Sequence, residues 1–384
     1  MMNGIANFQS SNKTCLIVTT VGITIKTFLI PHIEYLKKNG FEVILASNFS
    51  DSSAEELIVI ESANCELVNI EFSRNPLNIS KHVQSNRQMS QLIKSRHFDK
   101  IFVHTPIASF ITRKVARKSD CEVTYFAHGL QFYKGGSKLS WVIFEPMERL
   151  ASKWTQNIIT MNQEDYNYFQ GLKRKKTKVI KIPGIGLSKS FVDKIEISKN
   201  DSIKTNIEIE DDDVIILSIG ELNKNKNHIL MLETMKKIVS INNKVKYFII
   251  GVGPRYEEYE TFIKNHNLEN NVELLGYINN VVPYIVRSNL VVSCSFREGL
   301  PISIIESMAL GKPVLASNIR GHIDLIKDDL FLYELKEDKI DLFNKVLNLI
   351  NNKQLLDKQG KFNQIESSSY KIDNVLSSLR EIYE

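Results

Sequence analysis

Cysteine is scarce in this chain, at four in 384 residues. Cys15, Cys65, Cys121 and Cys294 stand far apart and form no CxxC pair, which argues against a zinc ribbon and a disulfide framework and predicts a reducing compartment. Long apolar runs are missing as well. No segment reaches the roughly 18 uninterrupted apolar residues that span a bilayer. The opening MMNGIANFQSSNK lacks the basic-then-apolar layout of a signal peptide, so a cytoplasmic protein is expected. There is no repeat of fixed period and no low-complexity tract. The acidic run Glu210–Asp213 precedes a strand and reads as a solvated loop; no other Asp-x-Asp and no His/Cys cluster has metal-ligand spacing.

What is present is an ordinary globular composition, 43% hydrophobic and 24% charged, in a chain long enough for two domains. The net charge of +5 is unevenly divided: residues 1–183 carry 24 Lys plus Arg against 15 Asp plus Glu, and residues 184–384 carry 25 against 29. The first half is therefore the basic one. Lys173–Lys178 (KRKKTK) concentrates five of its cations in six residues. Such a run is more often solvated than functional; nucleic acid is an obvious partner for it, but no recognised binding motif accompanies it.

Apolar runs at Cys15–Val18 and Val43–Ala46 flank a loop holding Gly22 and an amphipathic stretch stopped by Gly40, a strand–helix–strand unit that implies a parallel sheet. Lys100–His104 and Val123–Ala127 continue the series. A second series follows the loop PGIGLS: Val214–Ile219, Tyr247–Ile250, Val272–Leu274, Leu290–Ser293 and Val314–Ala316, with helical segments such as His228–Ser240 between them. The pattern predicts an α/β protein of two doubly wound domains, residues 1–183 and 184–366, facing each other across a ligand-binding cleft. Residues 367–384 are helical in pattern and are expected to pack on either domain.

The stretch FREGLPISIIESMALGKPVLAS (Phe296–Ser317) poses the sharpest chemical question, because Glu298 and Glu306 lie eight residues apart around a buried-looking helix. A carboxylate among apolar residues needs a partner or a ligand. Val291–Phe296 reads as a strand, Arg297–Leu300 as its exit loop and Pro301 as the first residue of a helix ending at Gly311. Strand, glycine-containing loop and helix start form an anion site of the kind a diphosphate fits. Ile302, Ile305 and Ala309 are expected to face the core, leaving Ser303 and Glu306 on the ligand side. Glu306 then lies roughly 7 Å from the helix start at about 1.5 Å per residue, an offset that suits a ribose, with Glu298 on the sugar side.

Taken together, E-x7-E with GLP after its first Glu, the trailing GKPVLAS, IRGHIDLI, SIGELNKNKNH, YFAHGLQFYKGG and IITMNQEDY resemble the retaining glycosyltransferases of family 4, over nearly the whole chain. Their order resembles enzymes of bacterial capsular, exopolysaccharide and O-antigen synthesis. The resemblance implies the GT-B fold of two Rossmann-like domains and a nucleotide-sugar donor, with UDP as the favoured nucleotide. It also implies a lipid-linked glycan acceptor, retention of anomeric configuration, and no metal cofactor. It makes Glu306 the ribose-binding carboxylate and Glu298 the donor-sugar carboxylate, puts the Gly299 and Leu300 amides near the diphosphate, and gives Lys226 a phosphate-binding role. His128 falls at the family's active-site histidine, and Gly22 at its glycine-containing first loop. Glu221 replaces the family's phosphate-binding Arg, with Lys224 or Arg320 as substitutes.

Bland readings stand beside these. Without its context Glu306 is a solvated charge, His128 is equally a core histidine, and Lys226 belongs to a polar loop. His104 leans to a structural or acceptor-side role. GVGPRY lacks a third glycine and reads as a strand-end turn. A sugar-nucleotide 2-epimerase of the same architecture and a catalytically silent binding subunit are the rival functions. The basic half suggests that Lys173, Arg174, Lys175 and Lys176 meet the anionic inner face of the cytoplasmic membrane, with Trp141, Val142 and Phe144 dipping into the interface.

Overall fold

The structure is a computed structural model that describes residues 13–172, 174–198, 200–335 and 340–384. It divides into two compact units. The first runs through Thr160, resumes over Glu164–Ile182 and takes in Leu376–Glu384; the second comprises Met161–Gln163 and Pro183–Val375.

The first unit is built on a seven-stranded sheet, β1 (Lys13–Val21), β2 (Phe41–Asn48), β3 (Glu66–Asn69), β4 (Lys100–His104), β5 (Glu122–Ala127), β6 (Asn157–Thr160) and β7 (Lys178–Lys181), in the order β3-β2-β1-β4-β5-β6-β7. Every pairing in it is parallel. Central strands of such a sheet are covered on both faces, which is why CLIVTT and IFVH are continuous apolar or small-residue runs. The strands invisible to sequence reading, β3, β6 and β7, are four residues each, and the edge strands β3 (ELVN) and β7 (KVIK) carry exposed charged or polar ends. Their pairing partners, not their own composition, make them strands.

The second unit repeats the plan with β8 (Val214–Ile219), β9 (Val245–Ile250), β10 (Val272–Gly276), β11 (Leu290–Ser293), β12 (Val314–Ser317) and β13 (Leu332–Tyr333), ordered β10-β9-β8-β11-β12-β13. Each unit has its own buried apolar core. In both sheets the strand order reverses beside the first strand, between β1 and β4 and between β8 and β11. Such switch points open a crevice at the carboxyl ends of the strands, where ligands bind.

Two expectations need correction. The predicted single helix over 367–384 is broken into a short 3₁₀ turn and the helices Ile372–Ser378 and Arg380–Tyr383. Tyr383 belongs to the first unit, where its hydroxyl is 2.8 Å from His32 Nδ1. Gly22 opens a helical segment instead of lying in a loop, and a Cβ there would come 2.5 Å from Ser52 Oγ and 3.2 and 3.3 Å from the Phe49 and Ile60 side chains, so a larger residue has to displace them.

Candidate active site

In the second unit the site is assembled from the loops leaving the two switch-point strands. The loop after β8 and the loop after β11 are tied together by three contacts in register. Phe296 N–H donates to the Asn225 carbonyl (2.8 Å), Asn225 Nδ2 to the Arg297 carbonyl (2.9 Å), and Lys226 Nζ to Glu298 Oε1 (2.7 Å). Lys226 reaches Glu298 by lying across Gly220, where a Cβ would come 3.1 Å from its Cε. Asn227 takes the left-handed conformation (φ 53°) that turns the chain into the His228–Val239 helix.

Glu298 is thereby the partnered carboxylate. Burial pushes its carboxyl up, but the Lys226 ammonium beside it outweighs this and holds it below the ordinary carboxylate value. Its loop is braced from below by the IRGH turn. Arg320, almost fully buried, donates from Nε to the Glu298 carbonyl (3.1 Å). Gly321 (φ +84°) lies so close that a Cβ would come 2.7 Å from the Gly299 carbonyl. Arg320 thus supports the loop from within; Lys224 is exposed. His322 is buried against the Ser293 and Ser317 hydroxyls (both 3.1 Å), and burial lowers its pKa to about 4, so it is a neutral spacer under Glu298.

The Ile302–Ala309 helix begins one residue later than expected, because Pro301 is its extended N-cap (φ −71°, ψ 119°). Its buried face is Ile304, Ile305 and Met308; Ile302 and Ala309 are only partly buried, which corrects the predicted stripe. Ser303 and Glu306 share the other side, as expected. Among the described residues no protein acceptor takes the N–H groups of Gly299, Leu300, Ile302 and Ser303, so four donors converge at the helix start. No hydrogen-bond or ion-pair partner among the described residues meets the Glu306 carboxylate either. Burial pushes its pKa up to about 7, against the pull of Lys194. Glu298 thus has its partner in Lys226, whereas none of the described residues pairs with the Glu306 carboxylate. Gly184 (φ +76°) lets the 183–188 loop pass against Leu300, where a Cβ would come 2.9 Å from Cδ2.

The first unit carries two histidines at its strand ends. His104 ends β4 and His128 follows β5; His104 Nδ1 and His128 Nε2 are 2.8 Å apart, with the rings stacked at 5.1 Å and Phe126 stacked on His104 at 4.6 Å. Burial, with the other histidines adding to it, lowers both pKa values, that of His128 to about 4. Both rings are therefore neutral at pH 7. Thr105, between His104 and Pro106, adopts φ 64°, ψ 140°, an uncommon conformation for a β-branched residue, and its hydroxyl is 2.7 Å from that of Thr20 at the end of β1. The loop after His128 is held by the QEDY segment: Leu130 N–H donates to Asp165 (3.1 Å) and Lys134 N–H to Glu164 (2.7 Å). His104, Thr105, Asp165, Asn225 and His322 are the positions sequence reading underrated, although each adjoins a motif it quoted.

Comparison with known proteins decides the family. Residues 199–365 match the model for "Glycosyl transferases group 1" and residues 13–162 that for "Glycosyl transferase 4-like". The chain belongs to the group 1 and 4-like glycosyltransferases. The enzyme is 28% identical over 319 residues to the putative glycosyltransferase EpsD of Bacillus subtilis, covering 82% of this chain and 81% of that protein. It is 26% identical over 294 residues, 74% of each chain, to a UDP-Gal:alpha-D-GlcNAc-diphosphoundecaprenol alpha-1,3-galactosyltransferase of Escherichia coli. The crystal structure of Anabaena Alr3699/HepE with UDP and glucose superposes with a TM-score of 0.73 at 16% identity, covering 96% of this chain and 99% of that one. This likeness establishes the GT-B fold for the glycosyltransferase. Lys226, Glu298, Gly299, Leu300, Ser303 and Glu306 lie in the loops and helix start after β8 and β11 of its second unit, and Gly22 and His128 follow strands of its first.

Proposed function

We propose that this glycosyltransferase transfers a sugar from a UDP-sugar to a lipid-linked glycan of bacterial surface polysaccharide synthesis, with retention of configuration and without a metal cofactor. The observation that carries the donor reading is the contrast around one helix start: four unclaimed amides and an unpartnered Glu306 on one side, the Lys226–Glu298 pair on the other. The amides and Lys226 take the diphosphate, Glu306 accepts from ribose hydroxyls, and Glu298 faces the transferred sugar. A relative whose name specifies a UDP-Gal donor supports the choice of nucleotide.

In the reaction the acceptor hydroxyl attacks the anomeric carbon on the face that the diphosphate leaves. The C–O bond to phosphate breaks, the new glycosidic bond forms, and a phosphate oxygen takes the hydroxyl proton. The protein's part is electrostatic: fixed amides and Lys226 stabilise charge growing on UDP, which costs no reorganisation at the moment of reaction. His128, neutral, is available as a hydrogen-bonding group to the sugar.

The acceptor's membrane is suggested by the helices Ile79–Ser95, Pro106–Ala116 and Lys138–Ala151, which pack side by side in the first unit. The first two contain no acid, and the two acids of the third are both paired, Glu145 with Arg149 and Glu148 with the buried Arg113. Exposed Lys94, Lys114, Arg117 and Lys118 line one pocket between the first two helices. On the third, Leu139 and Val142 are 66% and 72% exposed and Trp141 is exposed too; Phe144 packs inward, contrary to expectation. Lys173 lies outside the described residues. Arg174 is not a free cation: it donates to the Arg149 carbonyl (3.1 Å) and Ser152 Oγ (3.4 Å), and so holds exposed Lys175 and Lys176 beside the end of that helix. Among the described residues no helix is long and apolar enough to cross a membrane. Attraction of about 1 kcal/mol per cation supplies reversible attachment to an anionic leaflet.

The test is a panel of nucleotide sugars incubated with the protein, a membrane-lipid extract and excess chelator. Acceptor-dependent UDP release supports the reading. Epimer formation without acceptor, binding without turnover, or activity that requires added Mg²⁺ contradicts it.

A further inference from the structure

A pocket of about 380 Å³ opens at the carboxyl ends of β1 and β2 and beside the loop that follows β3, bordered by Gly22. Its chemistry is mixed in a particular way. Asn48, Asn78, Asp51 and Glu56 offer amides and carboxylates, while Arg74 and Lys81 offer cations. Arg74 makes no ion pair among the described residues, and Lys81 has only a loose one, 3.6 Å from Glu71.

The loop carrying Arg74 is a built structure. Asn75 N–H donates to Ser73 Oγ (3.2 Å) and Leu77 N–H to Asn75 Oδ1 (3.0 Å). His82 Nε2–H donates to the Asn75 and Pro76 carbonyls (3.1 and 3.2 Å), and Asn48 Nδ2 donates to the Phe72 carbonyl (2.9 Å). A loop fixed this way nevertheless displays Leu77 at 79% exposure, with Ile79 at 71% and Val83 at 66% on the helix it leads into. Three large apolar side chains on an ordered surface mark a contact site. Pocket and apolar shelf adjoin, and Ile79 and Val83 lie on the Ile79–Ser95 helix, which contains no acid.

We propose that this pocket receives the sugar diphosphate of a polyprenyl-type lipid acceptor. Arg74 and Lys81 contact the phosphates, the amides and carboxylates accept and donate to sugar hydroxyls, and Leu77, Ile79 and Val83 bear on the first units of the lipid chain. The assignment rests on the lipid-linked acceptor reading and names its binding residues. Charge and apolarity together select the ligand class: a free sugar leaves the cations and shelf unused, and a phosphorylated sugar leaves the shelf unused.

The test titrates the full-length protein, held at saturating UDP to block the donor site, with farnesyl diphosphate, inorganic diphosphate and farnesol. Farnesyl diphosphate is expected to bind more tightly than either fragment. Arg74→Ala with Lys81→Ala should weaken it by about tenfold or more, the loss of charge-assisted hydrogen bonds. Leu77→Ser with Ile79→Ser should weaken farnesyl diphosphate and leave inorganic diphosphate unchanged. UDP affinity should stay at the parent's value in all variants, which also reports their folding. Equal farnesyl diphosphate affinity in parent and variants, or none in the presence of UDP, overturns the proposal. Acceptor-dependent UDP release by the parent on a lipid extract reports the underlying reading separately: if the parent transfers and the variants show an unchanged acceptor KM, the pocket assignment alone fails.

Discussion

The two units share one topology and differ in what they put at its switch point. In the second unit the loops after β8 and β11 deliver charge: a Lys226–Glu298 pair at 2.7 Å, with Glu306 behind it. In the first, β4 and β5 lead to His104, buried, and His128, half-buried, stacked on each other and uncharged at neutral pH. The same plan thus carries charged side chains in one unit and uncharged rings in the other.

The largest expected effect attacks the charged side. Lys226→Ala removes a diphosphate cation and leaves Glu298 partly buried without its partner, so kcat/KM should fall by about a hundredfold or more, with a stability loss of about 1–3 kcal/mol seen in denaturant titration. A variant with near-parental turnover would reduce the pair to a structural bridge. The neutral side is tested by His128→Ala. Turnover should drop by roughly ten- to a hundredfold at unchanged UDP affinity, because no charge is lost; a matching loss of UDP affinity would erase the proposed contrast between the units.

A subtler prediction separates the two carboxylates by pH. The Glu306 pKa is raised from its ordinary value to about 7, so the folded protein holds that proton more tightly than the unfolded chain does, and its ionisation costs stability as pH rises through this window. Glu306→Gln should therefore raise the melting temperature at pH 8, with the gain shrinking as pH falls toward 4.5. Glu298, held low by Lys226, has the opposite sign: its stabilising share is present at neutral pH and lost as acid protonates it. Replacing it should lower the melting temperature at pH 8. The smallest effect concerns the basic face. Neutralising Lys114, Lys118, Lys175 and Lys176, sparing the hydrogen-bonded Arg174, should weaken binding to anionic vesicles, most visibly at low salt, and leave UDP binding intact. Parental vesicle sedimentation would return that face to plain solvation.

Much of this was legible in the sequence. Strands such as Lys100–His104, Val214–Ile219 and Leu290–Ser293 are short apolar runs closed by loops, and the carboxylate spacing announced the helix start. What was not legible depended on distant neighbours. Nothing in NKNKNH says that Asn225 and Lys226 pair with Arg297 and Glu298, some 72 residues on. Arg320 reads as a surface cation until its turn is seen folded under the Glu298 loop. Of the expected helix stripe only Ile305 is fully buried, because ISIIESMA is apolar on most sides, which leaves the period weak. Arg174 was lost in a charge run whose members differ only in what they touch.

The central claim is that Glu306 is the carboxylate left open for the nucleotide. Calorimetric titration of UDP into the parent and Glu306→Gln at pH 8 tests it most directly. Loss of the charged hydrogen bonds should weaken UDP by about 1.5–3 kcal/mol, roughly ten- to a hundredfold, and lowering the pH from 8 to 6 should weaken binding to the parent more than to the variant. Equal UDP affinity in the two proteins at pH 8 would contradict the account.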